Sequence, residues 1–126
     1  MRILVDTNVV IRALADSELP REWRTILLDP NRQIALSSIS LAEIASKIAI
    51  GKLPEPPGPL ALVPASLGFD ELPFEARHAE RLRRLPLHHR DPFDRMLIAQ
   101  AIVEDLAIMT TDRMFESYPV RLVPLA

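Results

Sequence analysis

The sequence predicts an α/β domain of three layers, α/β/α, with helices packed on both faces of a mainly parallel central sheet. Two observations carry this. Short apolar runs, Ile3-Leu4-Val5, Gln33 to Ser37 and Leu106 to Met109, each halt on polar residues, as buried strands do when they emerge at a sheet edge. Between them, apolar residues recur at helical spacing, so the strands are expected to be joined by right-handed crossovers and to run parallel. The length of 126 residues puts everything in a single domain, 1–126, because a chain of this size buries roughly two thirds of its unfolded surface.

Composition narrows the class. With 48% hydrophobic and 25% charged residues the chain is an ordinary soluble globular one, not a disordered one. The absence of cysteine excludes disulfide staples and Cys-ligated zinc, and it is compatible with the reducing cytoplasm, the expected location. Only three apolar residues separate Met1-Arg2 from Asp6, so nothing resembles a signal peptide, and no uninterrupted apolar stretch approaches bilayer length. No membrane partner is expected. A formal charge of −2 argues against a binder that holds nucleic acid by bulk positive charge. The distribution is less neutral. Thirteen of the fifteen basic residues are Arg, and Arg77, Arg81, Arg83, Arg84, Arg90 and Arg95 fall within one short stretch. Arg suits bidentate phosphate contacts, although a solvated helix face is the commoner explanation of such a run.

In chain order, the opening run ends on Asp6, at the strand end where open α/β sheets collect their ligand chemistry. Asp6, Thr7 and Asn8 also read as the cap of a helix carrying Val9, Val10, Ile11, Ala13 and Leu14 and ending near Asp16-Ser17. Leu19 to Leu28 predicts a second helix, closed by Asp29-Pro30-Asn31. After the strand Gln33 to Ser37, Ser40-Leu41-Ala42-Glu43 has the form of a capping box, opening a helix that stops at Gly51. That box explains Glu43 structurally but not its apolar company, Leu41, Ile44, Ala45 and Ile48. A carboxylate so placed needs a positive partner.

Leu53 to Pro64 holds five of the twelve prolines and predicts a stiff connector, followed by a short helix over Leu60 to Leu67 interrupted by Pro64. Gly68 to Leu72 reads as a peripheral strand, and Phe74 to about Leu85 as an amphipathic helix. In His89-Arg90-Asp91-Pro92-Phe93-Asp94-Arg95, Asp91 is a natural N-cap, Pro92 the first helical residue and Asp94 the third, opening a helix that runs to Glu104. His88 and His89 read as solvated or capping loop residues. The strand Leu106 to Met109 ends on Thr110-Thr111-Asp112, repeating the arrangement at Asp6, and Val120 to Val123 closes the sheet.

Parallel strands place their carboxyl ends on one edge, so Asp6, Glu43, Asp94 and Asp112 are expected to converge. At an effective dielectric of about 20, two carboxylates roughly 5 Å apart repel by about 3 kcal/mol, so four together call for a cation. A carboxylate-oxygen site without Cys, and expected to lack His, suits Mg²⁺ or Mn²⁺.

These residues carry a family resemblance. The opening Leu4-Val5-Asp6-Thr7-Asn8, the segment Ser37 to Ala45 with Glu43, the run His89 to Arg95 leading into Leu97-Ile98-Ala99-Gln100-Ala101, and Thr110-Thr111-Asp112 together resemble PIN-domain proteins, and most closely the VapC-type toxins of toxin–antitoxin pairs. The third segment is the most specific. The resemblance implies metal-binding and catalytic roles for Asp6, Glu43, Asp94 and Asp112, with Thr7 and either Thr110 or Thr111 as supporting hydroxyls around them. Asp91 falls beside these acids, and we read it as a helix cap. The implied activity is metal-dependent hydrolysis of RNA phosphodiesters, with Arg95 as the candidate phosphate contact. The implied partners are an RNA substrate and a VapB-type antitoxin that inserts an Arg toward the acids. The apolar excess of 41–50 and 60–67 adds an expected homodimer. The Leu53 to Leu67 segment is shorter and richer in proline than is usual for that family.

Other readings fit less well. An aspartyl-nucleophile phosphatase wants a second carboxylate two residues after the first, where Asn8 stands. A receiver-like signalling domain needs a suitably placed Lys, and only Lys47 and Lys52 are present. A catalytically silent PIN-fold binding module, or a PIN nuclease of RNA processing outside toxin–antitoxin systems, is the remaining alternative; intact acids at all four matched positions argue against the silent form.

Overall fold

The computed structural model describes residues 2–16 and 18–124. Met1, at the head of the opening run, and Ser17, in the Asp16-Ser17 turn signal, lie outside the described residues, as do Leu125 and Ala126. The first strand, β1, is Ile3–Val5, followed by α1 (Thr7–Leu14) and α2 (Arg21–Leu28). The strand β2 (Ile34–Ser37) runs directly into α3 (Ser38–Ala49). A 3₁₀ turn at Leu60–Leu62 leads into α4 (Val63–Leu67), then β3 (Asp70–Leu72) and α5 (Ala76–Leu82). The helix α6 (Pro92–Glu104), β4 (Ala107–Met109) and a 3₁₀ turn at Arg113–Ser117 complete the elements. No described helix is long and apolar enough to cross a membrane.

The four strands form one parallel sheet in the order β3-β2-β1-β4. Side chains alternate across it with the strand period of two. Ile3, Val5, Ile34, Leu36, Ala107 and Met109 face one core, which α1 to α4 fill with Val9, Val10, Trp23, Ile44 and Val63. Leu4, Ala35 and Ile108 face the other, filled by Leu97, Ile98, Ala99 and Ala101 of α6, with Leu82, Phe115 and Tyr118. This is the predicted three-layer arrangement. β1 and β4 are buried on both faces, which is why they read as unbroken apolar runs and not as alternating ones.

Register positions the site. Val5 pairs with both Leu36 and Met109, so β1 and β4 finish level and β2 runs one residue further, to Ser37. The residues next in register, Asp6, Ser37 and Thr110, therefore stand side by side on the carboxyl edge.

Several expectations are corrected. Ser37, not Ser40, caps α3: its Oγ accepts the Ile39 N–H at 3.0 Å, and the helix starts before Ser40 is reached. The cause is that β2 passes into α3 with no loop, so the last strand residue is already the cap. Ser40 is instead buried inside α3, where its Oγ accepts the Thr7 hydroxyl at 3.0 Å. Glu43 thus belongs to the second turn and closes no capping box. Pro64 does not interrupt a helix either; it sits in the first turn of α4, where a missing N–H costs nothing. The helix expected over 74–85 is shorter. The Glu75 N–H donates to His78 Nδ1 at 2.9 Å, which sets its start, and Arg84 and Leu85 continue only as tight turns after Leu82. Val120 to Val123 makes a single bridge, Leu122 to Ile108, instead of a strand. It lies between Pro119 and Pro124, neither of which can donate to a ladder.

Candidate metal centre

Asp6 leaves the sheet with its backbone N–H still on the ladder, donating to Met109 O at 3.1 Å. Asp6 is 3% exposed, and its carboxylate does two jobs. Oδ1 accepts the Val9 N–H at 2.8 Å, capping α1, while Oδ2 accepts the Thr110 hydroxyl. Thr110 Oγ1 in turn accepts the Asp112 N–H at 3.0 Å. Asp112 Oδ1 accepts the Met114 N–H at 2.9 Å and caps the following 3₁₀ turn. Of the two threonines left open by the sequence, Thr110 holds Asp6, and Thr111 is exposed.

Asp91 caps α6, accepting from Phe93 N–H at 2.9 Å and Asp94 N–H at 3.3 Å. That start aims Asp94 along the edge. Burial raises the Asp94 pKa to about 6; its bond from His89 opposes this, and the charges of Asp91 and Glu43 add to it. Burial likewise raises Asp6, against the hydrogen bonds from Thr110 and Val9, with the charges of Asp112 and Glu43 pushing the same way as burial. The acids repel one another: the charges of Asp112 and Glu43 raise Asp6, and that of Glu43 raises Asp94. Among the described residues at this edge, the side chains with ligand atoms all within 4.8 Å of one another are His89, Asp94 and Asp112.

Glu43 is the least satisfied of them. Its Oε2 lies 3.6 Å from Lys47 Nζ one turn on. Its Oε1 is buried and has no hydrogen-bond partner among the described residues. A buried carboxylate oxygen left bare costs free energy unless something positive completes it. The donor set here, carboxylate oxygens under mutual repulsion, fits a hard divalent cation.

Sequence reasoning missed His89. Its Nε2 lies 2.8 Å from Asp94 Oδ2 and 3.7 Å from Asp112 Oδ2, and the ring stands edge-on to Phe115 with centroids 6.4 Å apart. The available signal was its place two residues before the cap of α6, from which a side chain can reach back over the first helical turn. Arg95 has structural partners instead of an open face. It donates to Pro86 O at 2.8 Å and Tyr118 Oη at 3.2 Å, so a phosphate contact would compete with those bonds.

A second group, Glu75, His78 and Glu104, lies away from this edge and is internally satisfied. His78 is fully buried; its Nδ1 accepts the Glu75 N–H, so Nε2 carries the proton and donates to Glu104 Oε2 at 2.9 Å, where Arg77 also pairs.

Fold and site together define a parallel α/β/α domain whose sheet edge carries one buried acid, Asp6, and three half-buried ones, Glu43, Asp94 and Asp112. The PIN domain family matches residues 3–120, and the chain belongs to that family. Among solved structures the fold is similar to that of VapBC from Rickettsia felis bound to a DNA fragment from its promoter, with TM-score 0.72 and 21% identity over 98% of each chain. DNA-bound VapBC from Salmonella typhimurium gives TM-score 0.72 and 22% identity, over 98% of this chain and 97% of that one. A toxin–antitoxin complex from Klebsiella pneumoniae gives TM-score 0.66 and 20% identity over 98% of each. At these identities the likeness is one of fold. No curated protein sequence matches the chain.

Proposed function

We propose that this chain is a Mg²⁺- or Mn²⁺-dependent endoribonuclease, the toxin of a toxin–antitoxin pair, acting in the cytoplasm and held inactive by a VapB-type antitoxin. The observation that carries the reading is Glu43 Oε1, buried and without a partner among the described residues, on a carboxylate whose charge raises both Asp6 and Asp94. PIN-family membership and the toxin–antitoxin assemblies among the structural neighbours support it.

Asp6, Glu43, Asp94 and Asp112 hold the cation through carboxylate oxygens. When bound, a divalent ion supplies a nucleophile from water at neutral pH and stabilises charge on the phosphoryl oxygens. The chain's own part is to keep the acids still. Thr110 fixes the Asp6 rotamer, and the Thr7 hydroxyl ties Ser40, and so the start of α3 that carries Glu43, to the start of α1. Asp91 sets where α6 begins and hence where Asp94 points. Arg90 and Arg113, exposed beside His89 and Asp112 and without a hydrogen bond among the described residues, are readier phosphate contacts than Arg95. Exposed Leu14, Ile50 and Leu62 motivate a homodimer and an antitoxin that covers apolar surface.

The test is cleavage of a broad pool of structured and single-stranded RNAs by the purified chain, freed of any partner, with Mg²⁺ or Mn²⁺. Wild type cleaves, and Glu43→Gln and Asp94→Asn do not. Full metal-dependent activity in both variants overturns the reading, and an inert wild type would favour a silent binding module. Light scattering that shows only monomer at micromolar concentration would remove the dimer.

A further inference from the structure

We propose that His89 Nε2 is a nitrogen ligand to the divalent cation, alongside Asp94 and Asp112, making the centre one for a first-row transition ion such as Mn²⁺ in preference to Mg²⁺. The inference rests on the metal-centre reading above and sharpens it.

Geometry comes first. His89 Nε2 lies 2.8 Å from Asp94 Oδ2 and 3.7 Å from Asp112 Oδ2, and one ligand atom from each residue lies within 4.8 Å of the others. In an octahedral shell with metal–ligand bonds of about 2.1 Å, neighbouring ligand atoms stand about 3.0 Å apart and opposite ones about 4.2 Å. The observed 2.8 Å is close to the neighbouring-ligand distance and 3.7 Å falls between the two, so small side-chain adjustments suffice. In the metal-free structure Nε2 donates to Asp94 Oδ2. His89 Nδ1 makes no hydrogen bond to a described residue, so it can carry the ring proton when a cation displaces the one on Nε2 and takes that lone pair.

The ring is also held in place by a built framework. Tyr118, itself buried, accepts the backbone N–H groups of His88 and His89 at its Oη, at 3.1 and 2.9 Å. Arg95 donates to the same Oη and to Pro86 O, bracing the loop from its other end. Phe115, fully buried, meets the His89 ring edge-on. Buried Tyr118 and Phe115 with the Arg95 brace thus hold a two-residue loop so that one imidazole faces two carboxylates. A solvated or merely capping histidine would need none of this.

Chemistry then decides the ion. Mg²⁺ is held by carboxylates, carbonyls and water, whereas imidazole favours the borderline transition ions. One nitrogen among oxygens therefore shifts preference toward Mn²⁺ and its neighbours.

The experiment is pulsed electron paramagnetic resonance of the Mn²⁺-loaded full chain, free of partner, with calorimetric Mn²⁺ and Mg²⁺ titrations beside it. Wild type should show nitrogen coupling from one imidazole. His89→Gln should lose the coupling while still binding Mn²⁺, and its Mn²⁺-over-Mg²⁺ affinity ratio should fall by about tenfold. His88→Gln, a control on the adjacent ring, should keep both properties. Tight Mn²⁺ binding by wild type without nitrogen coupling overturns the ligand role and leaves the acid cluster standing. Absence of any Mn²⁺ or Mg²⁺ binding overturns both.

Discussion

Thr110 and Asp6, far apart in sequence, are joined by a buried hydrogen bond in which the threonine hydroxyl donates to Asp6 Oδ2 while accepting the Asp112 N–H. One hydroxyl therefore sets the position of two of the four acids. Thr110→Val keeps the shape and removes both bonds, leaving the Asp112 N–H without its partner. We expect a loss of about 1–3 kcal/mol in denaturant unfolding. Thr111→Val, at the exposed neighbour, should be nearly neutral, and equal losses in the two variants would contradict the assignment.

The start of α3 separates two serines and a glutamate. Ser37→Ala removes both the cap to Ile39 and the bond to Gln100, and should destabilise by about 1–3 kcal/mol. Glu43→Gln removes the charge, and with it the pair to partly exposed Lys47, at a position that caps nothing. In metal-free protein it should leave stability unchanged or raise it, and it should abolish much of the stabilisation that added Mn²⁺ gives the wild type. Thermal melts with chelator and with Mn²⁺ read both effects.

Asp94 should give the metal-free protein a recognisable pH dependence. Its pKa is raised from 3.8 to about 6, so the folded state keeps a proton that the unfolded state has already released. Ionising Asp94 therefore opposes folding: the penalty is absent below about pH 4, grows through about pH 6 and is complete above it. Asp94→Asn should match wild type near pH 4 and be more stable by up to about 2–3 kcal/mol near pH 7. Urea unfolding of both proteins in chelator across that range measures the gap, which saturating metal should close or reverse. Asp6, raised in the same direction, contributes with the same sign.

The Glu75, His78 and Glu104 group should prove structural. His78→Leu deprives the Glu75 N–H of its acceptor and Glu104 of its buried donor, for a loss of about 1–3 kcal/mol. RNA cleavage measured well below the variant's unfolding temperature should be unchanged, as should Mn²⁺ affinity. A drop in either would tie this group to the metal centre.

The amino-acid sequence by itself determined the alternation of strands and helices, the strand end at Asp6 and the Asp91-Pro92 start of α6. Each of these is local: side-chain period and capping chemistry act over a few residues, and burial on both faces makes a strand apolar throughout. It also marked the four acids, because parallel strands with right-handed crossovers have only one carboxyl edge. Only the tertiary structure decided which serine caps α3, since Ser37 and Ser40 are equally good caps and the choice fell to the point where β2 leaves the sheet. It decided that Thr110 and not Thr111 meets Asp6, through the register that sets Val5 opposite Met109. It also turned His89 toward Asp94 and Asp112 and gave Arg95 to Tyr118 and Pro86. Such pairings are each worth about 1 kcal/mol and join residues on different elements, so no pattern within one segment records them. They exist only once strand register and helix packing have placed their backbones.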